Sequence, residues 1–222
     1  NGMFKYAVRN GLMIGNPAQY TEYYDVPVKK RESLSTEQVS KLLEACCGLR
    51  AEIAIHLALY CGLRRGEIVA LKWSDLAEST KTIHIKNSVE FINNRPQEKG
   101  PKSSAGKRTI PVPVHLWAML QNQPKKSMFV VPSAQGVQMS EIAVRRLIEP
   151  VQRRVDFHVT LHMLRHTYAS LIDRMGISPK MCQYLLGHAE LSTTKDIYTH
   201  IQDEHIENAS LQLQDIYNIS RT

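Results

Sequence analysis

The apolar positions of this chain fall at helical spacing over most of its length and at strand spacing over one stretch near the middle. Ser35-Thr36-Glu37-Gln38 reads as a capping box, with the Ser35 hydroxyl capping and Gln38 at the third helical position; Val39, Leu42 and Leu43 give the apolar face behind it. A second helix over 51–61 carries Ile53, Ile55, Leu57, Ala58 and Leu59, is apolar nearly all round, and is therefore expected to be buried. Gly62 ends it, Leu63-Arg64-Arg65-Gly66-Glu67 leads into a short helix running to Leu71, and Trp73-Ser74-Asp75 closes that unit. Strand patterns follow at 82–85 and 89–92, with a turn at Asn93-Asn94. The stretch 95–107 is polar and rich in Gly, Pro, Ser and Lys; 109–112 resumes strand character with a proline suited to a sheet edge. A helix at about 115–122 and a short strand at 128–131 come next. From Met139 onward the pattern is helical, at about 140–154, 160–174, 179–186, 193–199 and 204–217, and Ser178-Pro179 places an N-cap before a proline at the first helical position. The expected fold class is mainly α with a small antiparallel β-sheet, and no internal repeat interrupts it.

The first thirty residues differ in kind. Residues 3–12 look like the last turns of a helix, which Asn16-Pro17 stops. From Ala18 to Glu32 no period is visible, Pro27 falls in the middle, and Lys29-Lys30-Arg31 forms a charge run, read as a solvated linker or a phosphate contact. The chain opens on Asn1 within this helical pattern, so it is expected to be a segment of a longer protein.

Composition narrows the class. With 222 residues, 43% hydrophobic and 22% charged, the chain has the length and balance of a soluble globular protein with a real core. No apolar run reaches the roughly 18 residues of a membrane span, and no signal peptide is visible near Lys5 and Arg9. Cys46, Cys47, Cys61 and Cys182 have neither zinc-ligand nor disulfide-framework spacing, so reduced, mostly buried thiols in a cytoplasmic protein are expected. The net charge of +7 and pI near 9.2 suit an anionic partner, nucleic acid first, although a merely basic soluble protein has the same balance.

Candidate chemistry is concentrated between Thr160 and His200. Arg165 lies three residues after His162 near a helix start, and Arg64 emerges from the buried helix with Glu67 three residues on, placed to hold its guanidinium. Two arginines brought from separate helices to one spot make a natural phosphate clamp, because the planar fork bonds oxygens in pairs. His162 and His166 stand at i,i+4, as in helical metal sites, but no acidic residue lies between them and no third ligand is evident; satisfied core imidazoles are the plain alternative. Tyr198 lies on a predicted short helix ten positions after His188, where packing in the core beside Ile197 and Ile201 is the plain alternative; Tyr168 and Tyr184 read as core.

Taken together, these residues resemble the tyrosine site-specific recombinases, the phage and transposon integrases and their chromosome-resolving relatives. The resemblance rests on Gly62-Leu63-Arg64-Arg65-Gly66-Glu67, His162-Met163-Leu164-Arg165-His166-Thr167, Leu185-Leu186-Gly187-His188 and Tyr198-Thr199-His200, in that order. It also takes in a lysine-bearing hairpin from Pro101-Lys102 to Arg108-Thr109-Ile110-Pro111-Val112, and covers about 33–201. It implies the integrase catalytic-domain fold over 33–222 with a tail helix at about 203–217, an interdomain linker over 16–32, and the remnant of a core-binding domain over 1–15. It implies further that Tyr198 attacks a scissile phosphodiester of double-stranded DNA to give a 3′-phosphotyrosyl link, that His162 accepts its proton, and that Arg64, Arg165 and His188 stabilise the charge. Lys102 would protonate the leaving 5′-oxygen and Glu67 would support the site. The hairpin also holds Lys99 and Lys107, and Ser103 stands where the family often has Thr; the interval to Arg108 favours Lys102 over Lys99.

Neither metal, cofactor nor ATP is required on this scheme, since cationic side chains carry the charge and the phosphotyrosyl bond retains the energy for rejoining. The expected assembly is a homotetramer on DNA, with the isolated fragment monomeric, an excisionase as a possible accessory, and a cytoplasmic, nucleoid-associated setting in bacteria. The interval from His188 to Tyr198 is one residue longer than is common among chromosome-resolving members, which points to integration or excision of a mobile element. The competing readings are a type IB topoisomerase-like relaxing enzyme and a non-catalytic DNA-binding regulator on the same fold.

Overall fold

The computed structural model describes residues 2–21, 33–100 and 106–187. By internal contacts the chain divides into two units, Asn1–Lys30 and Arg31–Thr222. In the first, α1 (Gly2–Arg9) buries no residue and exposes Met3 and Tyr6. In the second, the described helices are α2 (Thr36–Cys46), α3 (Glu52–Tyr60), α4 (Arg65–Ala70), α5 (Val114–Gln121), α6 (Glu141–Gln152), α7 (Leu161–Arg174) and α8 (Pro179–Leu186). The helical expectations at 193–199 and 204–217 lie outside the described residues.

The core forms around α3, in which every residue from Ile53 to Tyr60 is buried. Its apolar circumference leaves no face for solvent, so it packs against α7 on one side and α5 and α4 on others. Around it α2 starts on the capping box, with Gln38 N donating to Ser35 Oγ (3.2 Å) and Ser35 N to Gln38 Oε1 (2.9 Å), an arrangement worth about 1 kcal/mol. Just before it, Leu34 N donates to Thr167 Oγ1 (3.0 Å), which ties the start of this unit to α7. Cys46 and Cys61 are buried, Cys182 is half-buried and Cys47 is exposed; burial pushes the Cys46 thiol up to about 12.

Five strands form two separate antiparallel groups where one small sheet was expected. β1 (Leu76–Ala77), β2 (Thr82–Ile85) and β5 (Arg108–Pro111) make a three-stranded sheet in the order β1-β2-β5, with Ile83 opposite Ile110 and Ile85 opposite Arg108. Pro111 thus sits on an edge strand, where its missing N–H costs no ladder bond to a further neighbour. The second group is a hairpin of β3 (Ser88–Ile92) and β4 (Arg95–Lys99).

Two expectations are corrected here. The strand patterns placed at 82–85, 89–92 and 109–112 leave out β4: its residues are mostly exposed, so no apolar alternation marks it. What makes the hairpin is the turn, where Asn93 and Asn94 both take positive φ (49° and 64°), as a two-residue hairpin connection requires. Conversely, 128–131 is no strand. It makes one bridge, Lys72 to Phe129, with Trp73 N donating to Met128 O (3.1 Å) and Val130 N to Leu71 O (2.9 Å). The pairing stops there because the partner chain turns into a 3₁₀ helix at Trp73 and Pro132 follows on the other side.

Candidate functional site: an arginine cluster at a helix end

The local sequence dictates how Arg64 reaches the surface. Behind α3 the chain turns at Gly62 with φ +61°, so close to α7 that a Cβ would lie 2.3 Å from Tyr168 Cδ1. Leu63 is buried and Arg64 then becomes the N-cap of α4 in extended conformation. Glu67 on the first turn of α4 folds back on it: Arg64 N donates to Glu67 Oε2 (2.8 Å) and Arg64 Nη1 to Glu67 Oε1 (2.9 Å). One buried carboxylate therefore fixes both ends of the arginine, whose side chain remains 39% exposed.

Arg165 approaches from α7, whose N-terminus is capped by Thr160 through Met163 N to Thr160 Oγ1 (3.1 Å). The arginine is buried; its Nη1 donates to Gly62 O (2.5 Å) and its Nη2 to Leu186 O. A third arginine, Arg108, enters from β5 with its side chain wholly buried. Its Nη1 and Nη2 donate to Glu67 Oε1 and Oε2, both at 2.8 Å, and its Nε to Leu185 O (2.9 Å).

These bonds converge on the end of α8. Arg64 Nη2 donates to Gly187 O (2.6 Å), so the consecutive carbonyls of Leu185, Leu186 and Gly187 receive Arg108, Arg165 and Arg64 in turn. A helix C-terminus leaves such carbonyls without helical partners and carries a partial negative charge, which guanidinium groups satisfy on both counts. Gly187 ends α8 in the left-handed region (φ 60°), and an added Cβ there would stand 2.8 Å from Arg108 Nη1.

Three guanidiniums against one carboxylate leave the described cluster positively charged. Burial alone would raise the Glu67 carboxyl, but the hydrogen bonds and charge of Arg108, then of Arg64, outweigh it and hold the group below its ordinary value. Arg165 is pushed down to about 9 by burial first and by repulsion from Arg64 second, and so stays protonated at neutral pH. An anion beside it would relieve both effects. Such a place exists: a cleft of about 720 Å³ is lined by Arg64, Glu67, His162, Arg165 and Gly187 at its base. Its other wall is the β3–β4 hairpin.

His162 is exposed at the first turn of α7 and lines this cleft, so the reading of a core imidazole does not apply to it. Its Nε2 lies 2.9 Å from Nε2 of His166, edge to face; one of the two nitrogens must carry the proton and the other accept it. Lys99 lines the cleft and is ion-paired with Glu90. Lys102, His188 and Tyr198 lie outside the described residues; Gly100, Gly106 and Gly187 line the cleft. Tyr168 is buried as expected, whereas Tyr184 is half-buried and its hydroxyl accepts from Thr109 N (3.0 Å), joining α8 to β5. Among the described residues no group of His, Cys, Asp and Glu is arranged to hold a metal ion, and no helix is long and apolar enough to cross a membrane.

Sequence reasoning passed over Arg108. Its signal was the strand period: Arg108, Ile110 and Val112 alternate with Thr109 and Pro111, so a strand that buries the isoleucine buries the arginine too. A buried arginine demands a buried acid, and Glu67 meets that demand.

Comparison with known proteins sets this geometry in context. The family model described as the phage integrase family matches residues 32–205. A "tyrosine recombinase XerC-like" protein of Caldanaerobacter subterraneus subsp. tengcongensis is 27% identical over 96% of this chain and 63% of its own length. A "tyrosine recombinase" of Thermosipho africanus is 30% identical over 92% and 69%, respectively. The chain therefore spans about two thirds of the length of such relatives. Among solved structures, the Tn1549 transposon integrase in complex with a circular intermediate DNA aligns with a TM-score of 0.73 at 20% identity, covering 95% of this chain and 75% of that one. A lambda integrase tetramer bound to a Holliday junction aligns at 0.63 and 21%, covering 88% and 58%.

Proposed function

The chain belongs to the phage integrase family of tyrosine recombinases, and on that premise we propose that it cuts and rejoins double-stranded DNA at specific sites by transesterification through a 3′-phosphotyrosyl link. The observation that carries the proposal is the arginine cluster: Arg64 and Arg165, from two helices, line one cleft with a net positive base. A phosphodiester seated there gains negative charge on its non-bridging oxygens as it is attacked, and pre-set guanidinium donors favour that state over the ground state; removing one such donor typically costs ~10²–10³ in rate.

The remaining roles follow from chemistry and from the family. Tyr198 is the nucleophile; a free phenol of pKa ~10 is only about one part in a thousand ionised at neutral pH, so it needs a base. His162, exposed at the cleft, accepts that proton, and its contact with His166 orients the ring. His188, the residue after Gly187, adds a donor to the phosphate. Lys102 protonates the departing 5′-oxygen. The chemistry passes through side chains alone, without metal or ATP, and strand exchange between two duplexes takes place in a homotetramer, with an excisionase as a possible accessory. The setting is the bacterial cytoplasm, on the nucleoid.

The biological role we propose is integration and excision of a mobile element, supported by the ten-residue interval from His188 to Tyr198. A second reading, a chromosome-resolving recombinase, is favoured by sequence relatives that bear the names XerC and XerD. A nicked suicide duplex carrying the repeat that flanks the gene tests the chemistry. Wild type is expected to yield a covalent protein–DNA adduct on a denaturing gel and Tyr198→Phe none; an undiminished adduct in the mutant overturns the assignment. Relaxation of a supercoiled plasmid that lacks the repeat would replace site-specific recombination by a topoisomerase-like activity.

A further inference from the structure

Arg108 does not face the cleft. Its side chain is wholly buried, and all three of its nitrogens donate inward, two to Glu67 and one to Leu185 O. It therefore touches no ligand bound beside Arg64. The question is why a fold would bury an arginine immediately behind the pair Arg64–Glu67.

The carboxylate supplies the answer. Its two oxygens have about four acceptor sites in all, and all are filled: Oε1 takes Arg108 Nη1 and Arg64 Nη1, and Oε2 takes Arg108 Nη2 and Arg64 N. Glu67 thus holds Arg64 in one geometry. Alone, however, Glu67 would also neutralise it, and a neutralised guanidinium is a poor partner for phosphate. Arg108 balances that single negative charge from behind, so Arg64 is oriented by the carboxylate and still presents its charge to the cleft. With Arg165 included, the described cluster holds three positive groups against one negative; without Arg108, two against one.

We propose that Arg108 is a positioning residue that offsets the charge of Glu67, so that Glu67 can orient Arg64 without cancelling its attraction for the scissile phosphate. The inference rests on the recombinase reading for its phosphate. A role confined to structural support differs from it in one consequence. If Arg108 acts by offsetting Glu67, then removing the negative charge should compensate for removing the positive one.

The test compares wild type, Arg108→Met, Glu67→Gln and the double variant on the suicide duplex, at saturating DNA. Arg108→Met is expected to slow adduct formation about 100-fold, in line with the loss of one charge-stabilising interaction, while DNA affinity, spread over many phosphates, changes less than threefold. The double variant is expected to recover at least tenfold over Arg108→Met. A double variant no faster than the single one, with both showing native melting curves, overturns the proposal. Should Arg108→Met fail to fold, Arg108→Lys carries the test, since it keeps the charge and loses the fork. A rate within tenfold of wild type supports charge compensation; a loss of 100-fold or more in a folded protein overturns it. Titration of inorganic phosphate against the Arg64 Nε–H resonance reads the same series without catalysis. Weakened binding in Arg108→Met, regained in the double variant, upholds the role of Arg108 even if wild type gives no adduct, an outcome that would overturn the recombinase reading alone. Adduct in wild type without recovery in the double variant overturns only the role of Arg108.

Discussion

Replacing Glu67 by Gln should be among the most damaging near-isosteric changes available to this chain, and the structure sets the size of the effect. Glu67 is 4% exposed and is the one carboxylate paired with Arg108 among the described residues. The amide keeps the volume and one acceptor oxygen but turns an NH₂ group toward guanidinium donors, leaving Arg108 buried without its counter-charge. Breaking a buried pair by removing one partner costs about 3–5 kcal/mol, which for a chain of this size lowers the melting temperature by roughly 6–20 °C. The pH dependence supplies the sign. The Glu67 carboxyl is held below its ordinary value in the folded chain, so its contribution is complete above the unfolded carboxylate pKa of about 4.3 and is lost as the pH falls through the lower folded value. The gap between wild type and Glu67→Gln should therefore be full at pH 7 and narrow below about pH 4.3. Thermal unfolding followed by circular dichroism across this range measures it. A variant melting within about 2 °C of wild type at pH 7, or a gap that stays constant on acidification, would refute the reasoning.

Two further outcomes follow from other parts of the site. Gly62→Ala combines a left-handed backbone, costing about 1–2 kcal/mol, with a Cβ 2.3 Å from the buried ring of Tyr168, an overpacking of about 1–3 kcal/mol; urea unfolding should show a loss of at least 2 kcal/mol, and a loss below about 1 would mean that α3 and α7 separate easily here. Lys102→Ala should block cleavage of an ordinary suicide duplex and spare one whose leaving 5′-oxygen is replaced by sulfur, a better leaving group that needs no acid; if Lys99→Ala behaves this way instead, the assignment moves to the residue that pairs with Glu90.

Legibility in the sequence followed the physics of each element. The buried α3 was visible because an all-apolar helix has one stable place in a soluble domain, and α2 because both partners of its capping box are local. β4 was not visible: its side chains are mostly exposed, and the residues that dictate pairing are Asn93 and Asn94 at positive φ, so the signal lay in the turn rather than in the strand. The stretch 128–131 misled in the opposite way, since its buried Val130 and Val131 give strand character to a segment whose partner turns away after one bridge. Within the site, the ion pair of Arg64 with Glu67 was readable because i,i+3 on a helix is a local relation. The pair of Arg108 with Glu67 spans 41 positions and appears only when the β2–β5 register sets Arg108 opposite Ile85.

That register also explains why the site cannot be separated from the fold that carries it. The carbonyls of Leu185, Leu186 and Gly187 each accept from an arginine that belongs to a different element, β5, α7 and the start of α4. Each carbonyl needs a donor because the helix ends there, and the helix ends there because Gly187 turns left-handed, where a side chain would strike Arg108. The same guanidiniums that complete the helix end line or support the cleft, so satisfying the backbone and assembling the positive base are one event. A substitution that frays the end of α8 should then loosen Arg64, Arg108 and Arg165 together, and one that removes an arginine should loosen the point from which the chain continues toward His188 and Tyr198.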